Sequence, residues 1–245
     1  MRNNLNTFVF VLAILSGFTL TAQMEQGTIE IDRSAILIED VLTAEEQAAL
    51  TPGDVLLQLR AGNERFVRSD LTARDHSFQI RETVEAQFPK AIVLSCVDSR
   101  VPVEDVFDKG IGDIFVARVA GNFVNPDILG SMEFATKVSG AKLILVMGHE
   151  NCGAIHAAID GVELRNITTM LENIKPAVEM STKSTGERTS KNRLFVHEVV
   201  ENNVYRNINR IKEDSIILKE MFDKGEIDIK GAVYDMDTGV VIFLD

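Results

Sequence analysis

Two short stretches of the chain carry side chains that bind soft metal ions. In Ser95-Cys96-Val97-Asp98-Ser99-Arg100, a thiol, a carboxylate and a guanidinium alternate. In Gly148-His149-Glu150-Asn151-Cys152-Gly153, an imidazole stands three residues before the chain's only other cysteine. Two thiolates, one imidazole and one carboxylate make a four-ligand shell for zinc, because sulfur donors favour zinc over magnesium or calcium. The His-x-x-Cys spacing lets both donors turn toward one ion from the start of a helix, whose free N–H groups favour a thiolate there. Asp98 is the easiest of the four to displace, and Arg100 is at hand to hold it once it leaves. That exchange demands a bent backbone, since side chains two apart on a strand reach in parallel. With Asp98 on Arg100, a water can take the open position and lose a proton near neutral pH.

The competing reading is a disulfide between Cys96 and Cys152, which leaves His149, Asp98 and Arg100 without a part. The other histidines lack comparable settings. His76 lies in a charged loop. His156 falls four residues beyond Cys152, either as an ordinary helix position or as a proton carrier. His197 reads as a half-buried helix residue.

Such loops need a rigid frame. Residues 91–95 (AIVLS), 113–117 (DIFVA) and 142–147 (KLILVM) are branched apolar runs that read as strands covered on both faces. Helical stretches at 103–107, 128–138 and from Cys152 to residue 159 alternate with them, which predicts parallel pairing. Functional groups in such sheets gather beyond the carboxyl ends of the strands, where both motifs fall. Upstream, helices are expected at 44–50, 78–87 and after Thr51, with Asp54 as a cap or first-turn acid. Downstream, a helix at 167–180 precedes a polar linker, 181–190, that reads as mobile. A long helix at 191–211 follows, with a stripe through Leu194, Val200, Val204, Ile208 and Ile211, and then a helix at 215–222. Strands at 227–234 and 240–244 flank a hairpin turn at Asp237-Thr238-Gly239. The expected fold class is α/β: a mostly parallel central β-sheet flanked by helices, with an N-terminal helical arm and a C-terminal edge hairpin.

The chain's 37 acidic against 25 basic side chains give a net charge of -12, which repels nucleic acid and anionic membrane. Thirteen Phe and two Tyr without any Trp argue against a carbohydrate platform of indole rings. Arg2 is the only charge before Glu25, and the apolar run at 8–15 is followed by small residues near Ala22. Residues 1–22 read as a secretory signal peptide and predict a periplasmic or otherwise exported protein, the alternative being a cytoplasmic one. Ser16, Gly17, Thr19 and Thr21 interrupt the run short of the roughly 20 apolar residues of a spanning helix, so no stable membrane anchor is expected. Residues 23–245 then form a single α/β domain with its core at 52–245.

The two motifs resemble those of the β-class carbonic anhydrases. The likeness rests on QFPKAIVLSCVDSRVPVE (87–104), GDIFVARVAGN (112–122) and GHENCGA (148–154), with LRAGNERFV (59–67) and KGAVYDMDTG (230–239) flanking them. It implies one Zn2+ per chain held by Cys96, His149 and Cys152. Asp98 would then alternate between the metal and Arg100. Gln87 falls where some members place a glutamine that hydrogen-bonds the substrate or bicarbonate. The implied activity is reversible hydration of CO2 to bicarbonate and a proton by a zinc-bound hydroxide, in a homodimer or homotetramer. Two other readings keep the same residues: hydrolysis of carbonyl sulfide or carbon disulfide, or a non-catalytic scaffold stabilised by zinc or a disulfide. Departures from the family pattern include Val97, Val103, Glu150 and Asn151, and none removes a ligand.

Overall fold

The structure is a computed structural model that describes residues 41–244, so the expected signal peptide at 1–22 lies outside the described residues. Its centre is a five-stranded sheet in the order β2-β1-β3-β4-β5. The strands are β1 (Ala91–Ser95), β2 (Ile114–Arg118), β3 (Leu143–His149), β4 (Asp228–Tyr234) and β5 (Val241–Leu244). All neighbours run parallel except β5, which returns antiparallel on β4. Every residue of β1 and β3 is buried, as continuous branched apolar sequence requires of inner strands. β3 starts one residue later and runs two residues further than the apolar run predicts. Gly148 and His149 stay in the strand because they pair with Val233 and Tyr234 of β4.

Alternation along the strands sends side chains to two layers. Val93, Leu145 and Met147 pack against Val55 and Leu59 of α2 (Pro52–Val67) and against Val103, Val106 and Phe107 at α4 (Val103–Val106). Ile92, Leu94, Ile144 and Val146 pack on the other face. Their partners there are Leu129 and Met132 of α5 (Pro126–Glu133), Val204 and Ile211 of α9 (Arg193–Asp214), and Leu218 of α10 (Ile216–Asp223). Fully buried side chains of this kind contribute about 1.5–3 kcal/mol each. A third cluster contains Cys96 and Cys152 with Ile155, Phe195, Val199 and Val200, so both thiols belong to the packed interior. No helix among the described residues is long and apolar enough to cross a membrane.

The N-terminal arm comprises α1 (Ala44–Ala49), α2 and α3 (His76–Glu82). Thr51, not Asp54, is the N-cap of α2. Asp54 completes a capping box by accepting from the Thr51 amide. The helix expected at 78–87 begins earlier on its Asp75 cap and stops at Thr83. α5 runs on into a π turn, Phe134–Val138, before Gly140 at φ 80° ends it. The helix expected at 167–180 is instead two, α7 (Arg165–Leu171) and α8 (Lys175–Met180). Pro176 opens the first turn of α8, where its missing N–H costs nothing. α6 (Gly153–Ile159) completes the set.

In α9 the buried seam runs through Phe195, Val196, Val199, Val200 and Val204, while Leu194 is 64% exposed. The predicted stripe was therefore rotated by one residue at its start. The polar linker is tied down rather than loose. The Glu198 carboxylate accepts from the Lys183 and Ser184 amides at 2.8 and 2.7 Å, and the Asn192 side chain donates to the Thr185 and Glu187 carbonyls.

Candidate metal centre

Cys96 follows β1 directly, and the next residues turn sharply. The Val101 amide donates to the Asp98 carbonyl at 3.2 Å, and the Arg100 amide donates to Asp98 Oδ1 at 3.0 Å. This is the bend that the sequence demanded. It brings the Arg100 guanidinium back onto its neighbour's carboxylate as a two-pronged pair, Nε to Oδ1 at 2.9 Å and Nη2 to Oδ2 at 2.8 Å. Arg100 Nη2 also donates to the Asn151 carbonyl at 3.3 Å and so ties the first loop to the second.

Arg118, at the end of β2, braces the turn from below. It donates to the Cys96 carbonyl at 2.8 Å and to the Asp98 carbonyl at 2.6 Å. Sequence reasoning did not single it out. The signal was an arginine closing a strand whose register sets it beside Ser95.

His149 is the last residue of β3, and its Nδ1 lies 2.8 Å from the Glu150 carbonyl. A carbonyl only accepts, so Nδ1 carries the hydrogen and Nε2 presents its lone pair. That Nε2 atom is buried and has no hydrogen-bond partner. Asn151 takes the left-handed conformation, φ 51°, a shape that asparagine tolerates better than most residues. The turn delivers Cys152 to the N-cap of α6 without using its side chain as a cap. Two close approaches hold the parts in place. A Cβ on Gly148 would meet Val200 and Val204 of α9 at 2.9 and 3.0 Å, so glycine lets β3 press against that helix. Gly121, at φ 83°, brings its amide to Cys96 Sγ at 3.3 Å.

The two thiols are free, and their sulfurs lie 3.9 Å apart. A disulfide needs about 2.05 Å. Two sulfurs on one tetrahedral zinc, each at about 2.3 Å, would stand about 3.8 Å apart. Cys96, His149 and Cys152 place their donor atoms within 4.8 Å of one another. The donor set, the sulfur spacing and the orphaned imidazole nitrogen all fit a zinc ion.

Asp98 stands beside this trio, its Oδ2 3.9 Å from His149 Nε2, with its carboxylate committed to Arg100. The Arg100 hydrogen bonds hold the Asp98 carboxyl far below the usual carboxylate range, against the effect of burial. The sulfurs divide one proton unequally. The hydrogen bond from Cys152 brings Cys96 down to about 4, with help from His149 and the Gly121 amide, while Cys96 and burial push the Cys152 thiol up. Gln87 is exposed, in the segment leading into the opposite end of β1, and a single chain does not bring it to the other site residues.

Comparison with known proteins agrees with this geometry. The family described as carbonic anhydrase matches residues 91–241. The chain is 33% identical over 193 residues to carbonic anhydrase 2 of Mycobacterium tuberculosis, covering 76% of this chain and 90% of that one. It is 30% identical over 189 residues to the carbonic anhydrase of Mycolicibacterium smegmatis, covering 75% and 88%. Among solved structures, the β-carbonic anhydrase CafA of Aspergillus fumigatus shares the fold with a TM-score of 0.63 at 23% identity, over 69% of this chain and 82% of that one. Two tetrameric β-carbonic anhydrases from Sordaria macrospora are represented at a TM-score of 0.59 and 22% identity, over 69% and 90%. The family match opens with the first residue of β1 and ends with the first of β5, so it takes in the sheet and both loops that face the thiol pair. On that ground the chain belongs to the β-class carbonic anhydrase family.

Proposed function

We propose that the chain hydrates CO2 reversibly to bicarbonate and a proton, with one Zn2+ held by Cys96, His149 and Cys152. The observation that carries this reading is the buried, unpartnered Nε2 of His149 facing two free thiols, while the fourth candidate ligand is turned onto Arg100. When bound, zinc supplies the Lewis acidity that makes water a nucleophile near neutral pH. Asp98, kept anionic by Arg100, accepts a hydrogen bond from that nucleophile and orients it. Arg118 fixes the backbone that carries Cys96 and Asp98. The helix N-terminus beneath Cys152 supports a thiolate there.

Gln87 acts in this reading as the substrate-binding residue of a neighbouring copy. β1 separates it from Cys96, and five strand residues span on the order of 17 Å, too far for one side chain. A homodimer or homotetramer would supply it. Support comes from the outer edge of β2, unpaired among the described residues, and from Phe134, which meets Phe115 of β2 and is 53% accessible. Export by way of residues 1–22 completes the proposal, resting on the short apolar run and small residues of that segment.

The test is zinc per chain, a free-thiol count and CO2 hydration across pH on one purified preparation. The same samples should be assayed with carbonyl sulfide and carbon disulfide. Zinc near one per chain with CO2 turnover supports the reading, and a zinc-free active chain ends it.

A further inference from the structure

α9 contains two fully buried asparagines, Asn203 and Asn207. Asparagine is a poor residue for a helix interior, and burying its amide is costly unless that amide finds partners. Here the partners lie on one target, the turn at 119–124 that follows β2. Asn203 Nδ2 donates to the Gly121 carbonyl at 2.9 Å, and the Val124 amide donates to Asn207 Oδ1 at 2.8 Å. Asn207 Nδ2 joins the two side chains, donating to the Asn203 carbonyl at 2.7 Å and to Asn203 Oδ1 at 3.2 Å. Arg210 extends the row, its Nη1 donating to the Val124 carbonyl at 2.8 Å. Spacings of four and three residues put all three side chains on one helix face.

This turn needs holding. Gly121 and Asn122 stand one after the other in the left-handed region, at φ 83° and 40°. Strain at a residue such as Asn122 persists only where the surroundings over-determine it. Gly121 is also wedged in place, since a Cβ on it would lie 2.4 Å from Ile174 Cδ1 and 3.4 Å from Ala154 Cβ. What the turn presents to the metal centre is the Gly121 amide, which donates to Cys96 Sγ at 3.3 Å. One residue therefore joins α9 to the sulfur, gripped at its carbonyl by Asn203 and bonded through its amide to Cys96. An amide donor draws charge from a thiolate and fixes its direction, and contacts of this kind to metal ligands govern how firmly the ion is held.

We infer that Asn203 is a positioning residue of the metal centre: it holds the Gly121 amide on Cys96 Sγ and so sets how tightly that sulfur retains the ion. The inference rests on the zinc site proposed above. It makes α9, which carries none of the candidate ligands, the support of the centre on its Cys96 side. Asn207 and Arg210 act on the same turn at one remove, through Val124.

The experiment compares the unaltered chain with Asn203→Leu and Asn203→Asp, which remove the donor at nearly constant size. The control is Asn63→Leu, because Asn63 is also buried but bonds to Val106, Gly239 and Val241. Zinc affinity is read by competition with a chromophoric chelator, well below each chain's melting temperature. Cobalt-loaded samples report the sulfur-to-metal absorption band, which responds to hydrogen bonds on the sulfur. The Asn203 variants should bind zinc about tenfold or more weakly and shift the cobalt band. Asn63→Leu should melt earlier yet keep both. Where neither Asn203 variant folds, Arg210→Met loosens the same turn from its outer end and should move both readings in the same direction by less. Unchanged affinity and an unchanged band in a folded variant of this row overturn the inference, as do equal losses in Asn63→Leu. An unaltered chain that takes up no zinc would overturn the metal assignment itself, so the two failures are distinguishable.

Discussion

Asp98 and Arg100 are two residues apart and bonded through both arms of the guanidinium, because the chain turns immediately after β1. The pair turns a carboxylate whose Oδ2 lies 3.9 Å from His149 Nε2 into a hydrogen-bond acceptor at the edge of the site. Its consequence is separable from metal binding. Asp98→Ala should keep close to the zinc content of the unaltered chain and lose about 100-fold in kcat through lost orientation. Metal analysis beside steady-state kinetics checks this, and loss of zinc would make Asp98 an obligatory ligand. Arg100→Lys should also impair turnover, since an ammonium cannot reproduce the two-pronged contact.

Cys152→Ala removes one of the two sulfurs that stand 3.9 Å apart. The variant should lose zinc and CO2 hydration together. In the unaltered chain, chelation should expose two titratable thiols and lower the melting temperature. Restoring zinc to 100 times its dissociation constant is worth about 2.7 kcal/mol by mass action. An active, zinc-free Cys152→Ala chain would contradict the assignment.

Activity should decline as pH falls below about 7, because the nucleophile must be deprotonated. Asp98 should not set that limb, since Arg100 keeps its carboxyl ionised well below this range. A pH–rate profile that stays flat into the acid range would count against the mechanism.

Asp108 offers a stability test far from the metal. Burial opposes its charge, but hydrogen bonds from Arg65, Thr72 and Arg74 bring the carboxyl down to about 2 from an ordinary 3.8. A depressed folded value means stability that is complete above the ordinary value and lost as pH falls from 3.8 toward about 2. The amount at stake is about 2 kcal/mol. The Asp108 side chain is fully buried, so Asp108→Ala removes the carboxylate shared by Arg65 and Arg74 and should cost about 3 kcal/mol in denaturant unfolding at neutral pH. The variant's acid unfolding should also lose steepness in that window.

Gly148→Ala should act on the site through packing alone. Its new methyl group meets Val200 and Val204 at 2.9 and 3.0 Å, one residue before His149. Overpacking of this kind costs about 1–3 kcal/mol, and zinc affinity should weaken with it. Calorimetry and metal titration read the two effects separately.

The strands and both ligand loops were legible because their signals are local. An unbroken apolar run names a buried strand, and the donors lie within a few residues of each other on either side of a turn. What escaped notice depended on distant chain. β3 extends to His149 only because β4 lies beside it, and nothing in Gly148-His149 announces that neighbour. Leu194 fits a helical stripe by spacing, yet α9 docks with Phe195 and Val196 inward, so Leu194 stays in solvent. Arg118 acts through backbone carbonyls across the β1–β2 register, and no side-chain motif encodes that contact.

The pairing of His149 with Tyr234 also orders events during synthesis. All three candidate ligands leave the ribosome well before the strand that pins the imidazole at the sheet's end. Long-range pairing of this sort closes late in folding. The nascent chain therefore carries two bare thiols and a loosely placed histidine until β4 arrives. Secure capture of the ion waits for β4, and a chain cut short before β4 would hold every donor and still lack the frame that aims them.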